Sequence, residues 1–277
     1  MRTFILMAIA LMPAVFLCVY VYRKDRIEKE PIALLLRLFF LGALSCFPAS
    51  LIEVVLGKFI SAVFVGGPLM FLAVENTLGV ALVEEGLKLL VLIWVTQKNK
   101  DYNSSFDGLI YAAFVSLGFA ALENIFYVFE YGIRVGIMRA VLSVPGHLFF
   151  SVMMGYQYSL WHIADKAAVL EKKLKEQGII EAENQKISSV SAKTKCLLIP
   201  VLAHGFYNTC CSTGTTLGII VLYAFVIFMY VHCFRRIKDM SNADASENKY
   251  AMYLLLKKYP QLIEYIKAKR EEKNPVH

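Results

Sequence analysis

Stretches of about twenty consecutive, mostly apolar residues recur along this chain, and they fix its solvent before anything else is read. Seven can be bounded: 3–22, 32–56, 69–96, 107–130, 136–161, 196–213 and 216–234. The hydrocarbon core of a bilayer, about 30 Å thick, takes about 20 residues of helix. Only helices and closed barrels satisfy their backbone groups in lipid. These runs are continuous rather than alternating, so helices are expected. With 58% hydrophobic and 18% charged residues, the chain carries more apolar surface than a soluble core of its size could hide. The predicted fold class is therefore all-α: a polytopic membrane helix bundle of about seven transmembrane helices. No internal repeat is evident.

A net charge of +7 would suggest nucleic acid in a soluble protein, but here the basic residues cluster between the apolar runs. Four lie in 23–31, two in 97–106, seven in 162–195 and ten from 235 onward, 23 of the 29 Lys and Arg on alternate loops. The positive-inside rule puts those loops in the cytoplasm, the N-terminus outside and the C-terminus inside. Seven spans have the parity this requires, and no nucleic-acid partner is expected. The run 3–22 is followed by Arg23, Lys24 and Arg26 rather than a small-residue cleavage site, so a retained anchor is expected. Six cysteines, none in a C-x-x-C pair and nearly all within apolar runs, are not expected to form a disulfide or zinc framework. The expected organisation is a bundle over 1–234 with a charged, helical cytoplasmic insert at 162–195. A charged cytoplasmic tail follows at 235–277, with amphipathic stretches at 250–258 and 262–269.

Against so apolar a background the embedded polar residues are conspicuous. An ionisable group at mid-bilayer costs roughly 2.5–3.5 kcal/mol on insertion scales, so it persists when paired, wet or useful. Glu84, Glu85 and Lys88 occupy one helix at i, i+4 and i, i+3 spacing. One base cannot neutralise two acids, which leaves a carboxylate suited to general acid–base work. Glu123 and Asn124 are adjacent on a second helix. His147 follows Pro145-Gly146 and is predicted to sit near the start of a half-helix rather than mid-span. His204 and Asn208, at i, i+4, share a face suited to oxyanion stabilisation. Each taken alone also reads as packing or a structural ion pair. Together, on four helices, they describe one wet polar site, chemically suited to hydrolysis and expected to open toward the exterior half of the membrane.

Glu84-Glu85-x-x-Lys88, Asp107-Gly108 leading to Gly118-Phe119-Ala120 and Glu123-Asn124, Pro145-Gly146-His147 with Gly155-Tyr156, and His204-Gly205-x-x-Asn208 together resemble the PrsW family of intramembrane proteases. That family is related to the CAAX-processing and bacteriocin-immunity superfamily. Asp25-Arg26 with Glu30-Pro31 is similar to the family's first cytoplasmic loop. The resemblance runs from about 23 to 210. It implies a bacterial cell-membrane enzyme that hydrolyses a membrane-anchored protein, such as the first cut of an anti-sigma factor near the outer face. It also implies catalytic roles for Glu84, Glu85, Glu123, His147, His204 and Asn208, with Lys88 and Asn124 structural or tuning. Two chemistries are compatible with it. In one, Glu84 or Glu85 activates water while His204 and Asn208 stabilise the oxyanion, and no cofactor is needed. In the other, Zn²⁺ is held by His147, His204 and a carboxylate such as Glu85, although no H-E-x-x-H motif is present.

The sequence contains no G-x-S and no G-x-G-D, which disfavours serine-elbow and aspartyl-dyad proteases. Two other classes fit embedded acids and histidines: a solute or ion transporter using them as a proton relay, and a catalytically silent membrane-protein binder. The transporter reading lacks the repeat between halves that many transporters show.

Overall fold

A computed structural model describes residues 2–181 and 187–273; part of the insert, with Lys186, and the last four residues lie outside them. The described chain is helical, with an isolated bridge between Ser104 and Ser246. Helix α1 spans Arg2–Lys24, α2 Ile32–Leu44 and α3 Cys46–Val63. Next come α4 (Pro68–Val74), a π-helical segment (Glu75–Ala81) and α5 (Leu82–Thr96). Helix α6 is Asp107–Tyr131, α7 Ile133–Val141, α8 Ser143–Glu176 and α9 Val190–Ser212. The chain closes with α10 (Thr216–Asn242), α11 (Glu247–Lys258) and α12 (Leu262–Lys273).

Among the described residues, five helical stretches are long and apolar enough to cross a bilayer: Thr3–Lys24, the α2–α3 pair Ile32–Val63, Asp107–Tyr131, the α7–α8 pair Ile133–Glu176, and Thr216–Asn242. The two remaining apolar runs do not meet that standard. The run 69–96 is divided by the π-helical segment, and α9 is diluted by Pro200, His204, Asn208 and several Ser and Thr. These two elements carry Glu84, Glu85, Lys88, His204 and Asn208. Their polarity belongs to the site.

Helix α6 is the axis of the bundle. Every residue from Asp107 to Ala121 is buried, as expected of a helix surrounded by others rather than facing lipid. It packs against α1, α2, α5, α7 and α8. Lipid offers no hydrophobic drive for helix association, so close backbone approach takes over. A Cβ on Gly42 of α2 would overlap the Val115 carbonyl, and one on Gly118 of α6 would overlap that of Phe39. The two glycines thus form a reciprocal seam. Gly118→Ala is expected to force the helices apart and lower stability by about 1–3 kcal/mol, the usual cost of overpacking. Thermal unfolding in detergent reads this out, and an unchanged midpoint would contradict the seam.

Helix α10 lies at the periphery and buries one stripe, Gly218, Leu222, Val226, Met229, Cys233 and Ile237, against α8 and α9. Large apolar side chains left exposed around the bundle, including Phe16, Phe40, Phe47, Phe59, Trp94 and Phe228, form a surface for lipid rather than water. Helix α8, at 34 residues, is about 51 Å long at 1.5 Å per residue. It runs well past a bilayer core, so much of the insert predicted at 162–195 is its extension. Helix α11 packs on that extension. There Glu171 accepts from Lys175, Lys258 and Tyr259 at 2.6–3.0 Å.

At the end of the bundle where α6 begins, Asp107 accepts from the Asn103 and Ser104 amides. Asp244 accepts from Ser104, Ser105 and the Phe106 amide, tying the tail to this loop. Asp25 and Glu30 are buried here too. Burial pushes Asp25 up to about 6, and Tyr111 donates to Glu30. Tyr111 and Glu123 are separated by twelve residues of one helix, or about 18 Å. The first-loop residues therefore support the fold and lie apart from the acid–histidine site.

Candidate active site

Four helices deliver the predicted residues to one place. Glu84, Glu85 and Lys88 come from the first turns of α5, Glu123 from α6, His147 from α8 and His204 from α9. Pro145 lies in the first turn of α8, where a missing N–H breaks no helical bond. His147 follows in the next turn, close to a helix start as expected. Its carbonyl accepts from Ser116 of α6 at 3.0 Å. The π-helical segment and Gly205 position His204: a Cβ on Gly205 would collide with Thr77, so α9 lies directly on the widened turn.

Lys88 is the hub. Its ammonium, 1% exposed, donates to Glu84 Oε2 at 2.9 Å and Glu85 Oε1 at 2.8 Å, and lies 3.1 Å from His147 Nδ1. Three protons meet three acceptors, and the Phe119 ring lies beneath at 4.2 Å. These partners set the imidazole tautomers. Because Lys88 can only donate, His147 Nδ1 accepts, and its Nε2–H donates to Glu123 Oε2 at 3.0 Å. His204 Nδ1 donates to Glu85 Oε1 at 3.0 Å, while its ring stacks on Phe150 at 4.6 Å between centroids. His204 Nε2 is thereby left for other work.

Arg139 of α7 was not anticipated as part of the site. It lies near the start of the apolar run 136–161, and the short α7 brings its guanidinium 2.6 Å from Glu123 Oε2 and 3.9 Å over Tyr127. A base inside an apolar run was the signal available. Arg139 Nε also donates to Asn124 Oδ1, and Asn124 donates to the Ala10 carbonyl. Asn124 thus clamps α1, α6 and α7.

A cavity of about 830 Å³ lies over this network. Glu84, Glu123, His147, His204 and Asn208 line it, whereas Glu85 lies beneath. Its lining also includes Glu130, Tyr131, Ser143, Ser212 and Ile219, where α6 and α9 end and α8 and α10 begin. The cavity is large enough for water and for an extended segment of chain.

Ligand atoms of Glu84, Glu85 and His147 all lie within 4.8 Å of one another. Among the described residues these three form the group, so Glu84 stands where sequence reasoning placed His204 beside Glu85 and His147. Glu₂His is a zinc-type donor set. Here, however, the Lys88 ammonium fills its centre, and two cations about 3 Å apart repel strongly in a low dielectric. With Lys88 seated, the set does not fit a metal ion.

The fold and site define a membrane-embedded helical enzyme with a polar, water-accessible centre. The comparisons identify which kind. The model for "PrsW family intramembrane metalloprotease" matches residues 30–233. The chain is 32% identical to Protease PrsW of Bacillus subtilis, across 85% of this chain and 95% of that protein. It is 30% identical to Protease PrsW of Oceanobacillus iheyensis across 82% and 91%. It is 39% identical to Protease PrsW of Geobacillus kaustophilus over 56% and 66%. No solved structure matches. The chain belongs to the PrsW family of intramembrane proteases: it is a multi-pass, membrane-embedded peptidase acting on protein. A transporter reading is thereby set aside.

Proposed function

We propose that this peptidase cuts a membrane-anchored protein in the outer half of the bilayer, with Glu84 as the base that activates water. The observation that carries this is the division of labour between the paired acids. Glu84 faces the cavity, while Glu85 is fully buried between Lys88 and His204. Glu84 takes the proton of a water in the cavity, and that water attacks the scissile carbonyl. His204, steadied by Glu85 and Phe150, and Asn208, one turn further along α9, stabilise the developing oxyanion. His147, Glu123 and Arg139 form a charge network that fixes the opposite wall. The chemistry lies in 1–234, with seven crossings if the interrupted α4–α5 element and α9 are counted, and 235–277 is a charged cytoplasmic tail. The substrate class that fits the family is an anti-sigma factor with a single membrane anchor.

Purified protein in nanodiscs with a model single-span substrate tests this: cleavage is expected to proceed, and to survive chelator. The family description and the Glu84–Glu85–His147 group favour one second reading, metal-dependent hydrolysis after Lys88 moves away. Loss of cleavage on chelation, restored by Zn²⁺, would establish that reading instead.

The orientation is tested by a native thiol. Cys211 is exposed and lines the cavity, while the other five cysteines are buried. A membrane-impermeant maleimide applied outside intact cells is expected to label one site, lost in Cys211→Ser. Labelling from the cytoplasmic side alone would invert the topology.

A further inference from the structure

Glu53 of α3 is an acid inside the apolar run 32–56 that the chemistry above does not use. It lines the catalytic cavity together with Ser50 and Cys46. With Ser50 it also lines an open groove that continues along α3 past Gly57 and Ser61, with Glu75 of the π-helical segment opposite. A Cβ on Gly57 would come to 3.8 Å from Glu75 Oε1, so the two walls are close. The groove thus connects the membrane-facing surface to the catalytic cavity, and Glu53 stands where they join.

This passage presents acceptors. Ser50 and Ser61 each spend their proton on a carbonyl of their own helix, leaving oxygen lone pairs outward. Among the described residues Glu53 and Glu75 make no hydrogen bond or ion pair. Nearby, Lys88 and Arg139 are already committed to Glu84, Glu85 and Glu123. Lys58, exposed at the groove's outer part, is the remaining cation along it. Carboxylates outnumber available cations, and an unpaired carboxylate in a low dielectric is costly until a cation arrives.

We propose that the α3 groove seats the substrate segment and that Glu53 selects a substrate bearing a lysine or arginine side chain next to the segment that enters the catalytic cavity. This rests on the proteolytic reading of the cavity. Removing one charge pair at such a half-buried position changes preference by about ten-fold.

Single-span peptides carrying Lys, Gln or Glu at successive positions through their outer half provide the test. Binding is measured by fluorescence to full-length Glu84→Gln protein in nanodiscs, and cleavage by mass spectrometry with the wild type. At one position Lys is expected to outbind Glu at least ten-fold. Glu53→Gln is expected to erase that ratio, and Glu53→Lys to reverse it, a gain that a misfolded protein could not show. Equal binding of Lys and Glu peptides at every position, or a ratio unmoved in both variants, overturns the proposal. The two readings fail separately. Cleavage without charge preference removes the role of Glu53 alone, whereas charge-selective binding without cleavage removes the hydrolytic assignment and leaves the groove.

Discussion

Glu84→Gln is expected to lower cleavage of a single-span substrate by about 10²–10⁴-fold, the range that loss of a general base covers, with little change in thermal stability. The amide keeps an oxygen for the Lys88 proton that Glu84 Oε2 now accepts at 2.9 Å, and Glu84 borders the cavity, where water compensates the altered group. Glu85→Gln should behave differently. Glu85 is fully buried and one oxygen serves both Lys88 and His204. Neutralising it leaves two donors facing a weaker acceptor, so stability and activity should fall together, the former by about 3–5 kcal/mol if the pair behaves as a broken buried ion pair. Cleavage rates and unfolding midpoints on the same preparations separate the two acids. An active Glu84→Gln protein would remove Glu84 from the mechanism. A folded but inactive Glu85→Gln protein beside an active Glu84→Gln one would exchange their roles.

The sequence supported choosing Glu84 and Glu85 as a pair but not choosing between them. Consecutive residues on a helix point about 100° apart, so one of two adjacent acids faces a cavity and the other faces packing. Which is which depends on the rotation of α5, set here by Lys88 reaching across to His147 of α8. That contact links residues 59 positions apart, beyond any spacing rule. Lys88, His147 and His204 were legible because charge and imidazole are costly in lipid and stand out against it. Arg139 was harder to place because a base near the edge of an apolar run has the same signature as a topology marker. Its role depends on the turn at Gly132, a positive-φ glycine, which starts α7 on a course that folds Arg139 back over Glu123. The interrupted run 69–96 shows the same limit in the backbone. Its apolarity signals a crossing, yet it carries a π-helical turn, of a kind often associated with functional sites, where Thr77 meets Gly205 of α9. The helical character expected of the insert has a simple basis: Lys, Glu and Ala are good helix formers, so α8 continues to Glu176 after the apolar signal stops.

Much of the charge inside the bundle is organised as a relay of fixed dipoles and ions rather than as isolated groups. Arg139 holds Glu123, Glu123 receives the His147 proton, Lys88 faces the other side of that ring, and Glu85 carries the constraint to His204. Each ion is matched by a partner within 3.1 Å, which allows so many to share a low-dielectric interior. The relay also makes the two walls of the cavity interdependent, so changes at Arg139 should be felt at His204 through shared neighbours.

Lys88 should therefore be the most sensitive position for folding. Lys88→Met removes a cation that satisfies two carboxylates and an imidazole nitrogen, leaving like charges adjacent in the interior. Destabilisation of about 3–5 kcal/mol is expected, together with loss of cleavage. Lys88→Arg should not rescue activity, because a planar guanidinium cannot supply the compact three-proton tripod that meets Glu84, Glu85 and His147 at 2.8–3.1 Å. The same substitution tests the exclusion of metal. With the ammonium gone, the Glu₂His donor set is free, and Lys88→Met is expected to regain thermal stability on addition of Zn²⁺ and to retain one ion per chain after gel filtration. The wild type should do neither. A wild-type protein that holds stoichiometric zinc, bound through Glu84, Glu85 and His147 and lost in His147→Ala, would show that Lys88 yields to the metal and would return the chemistry to a metal-dependent course.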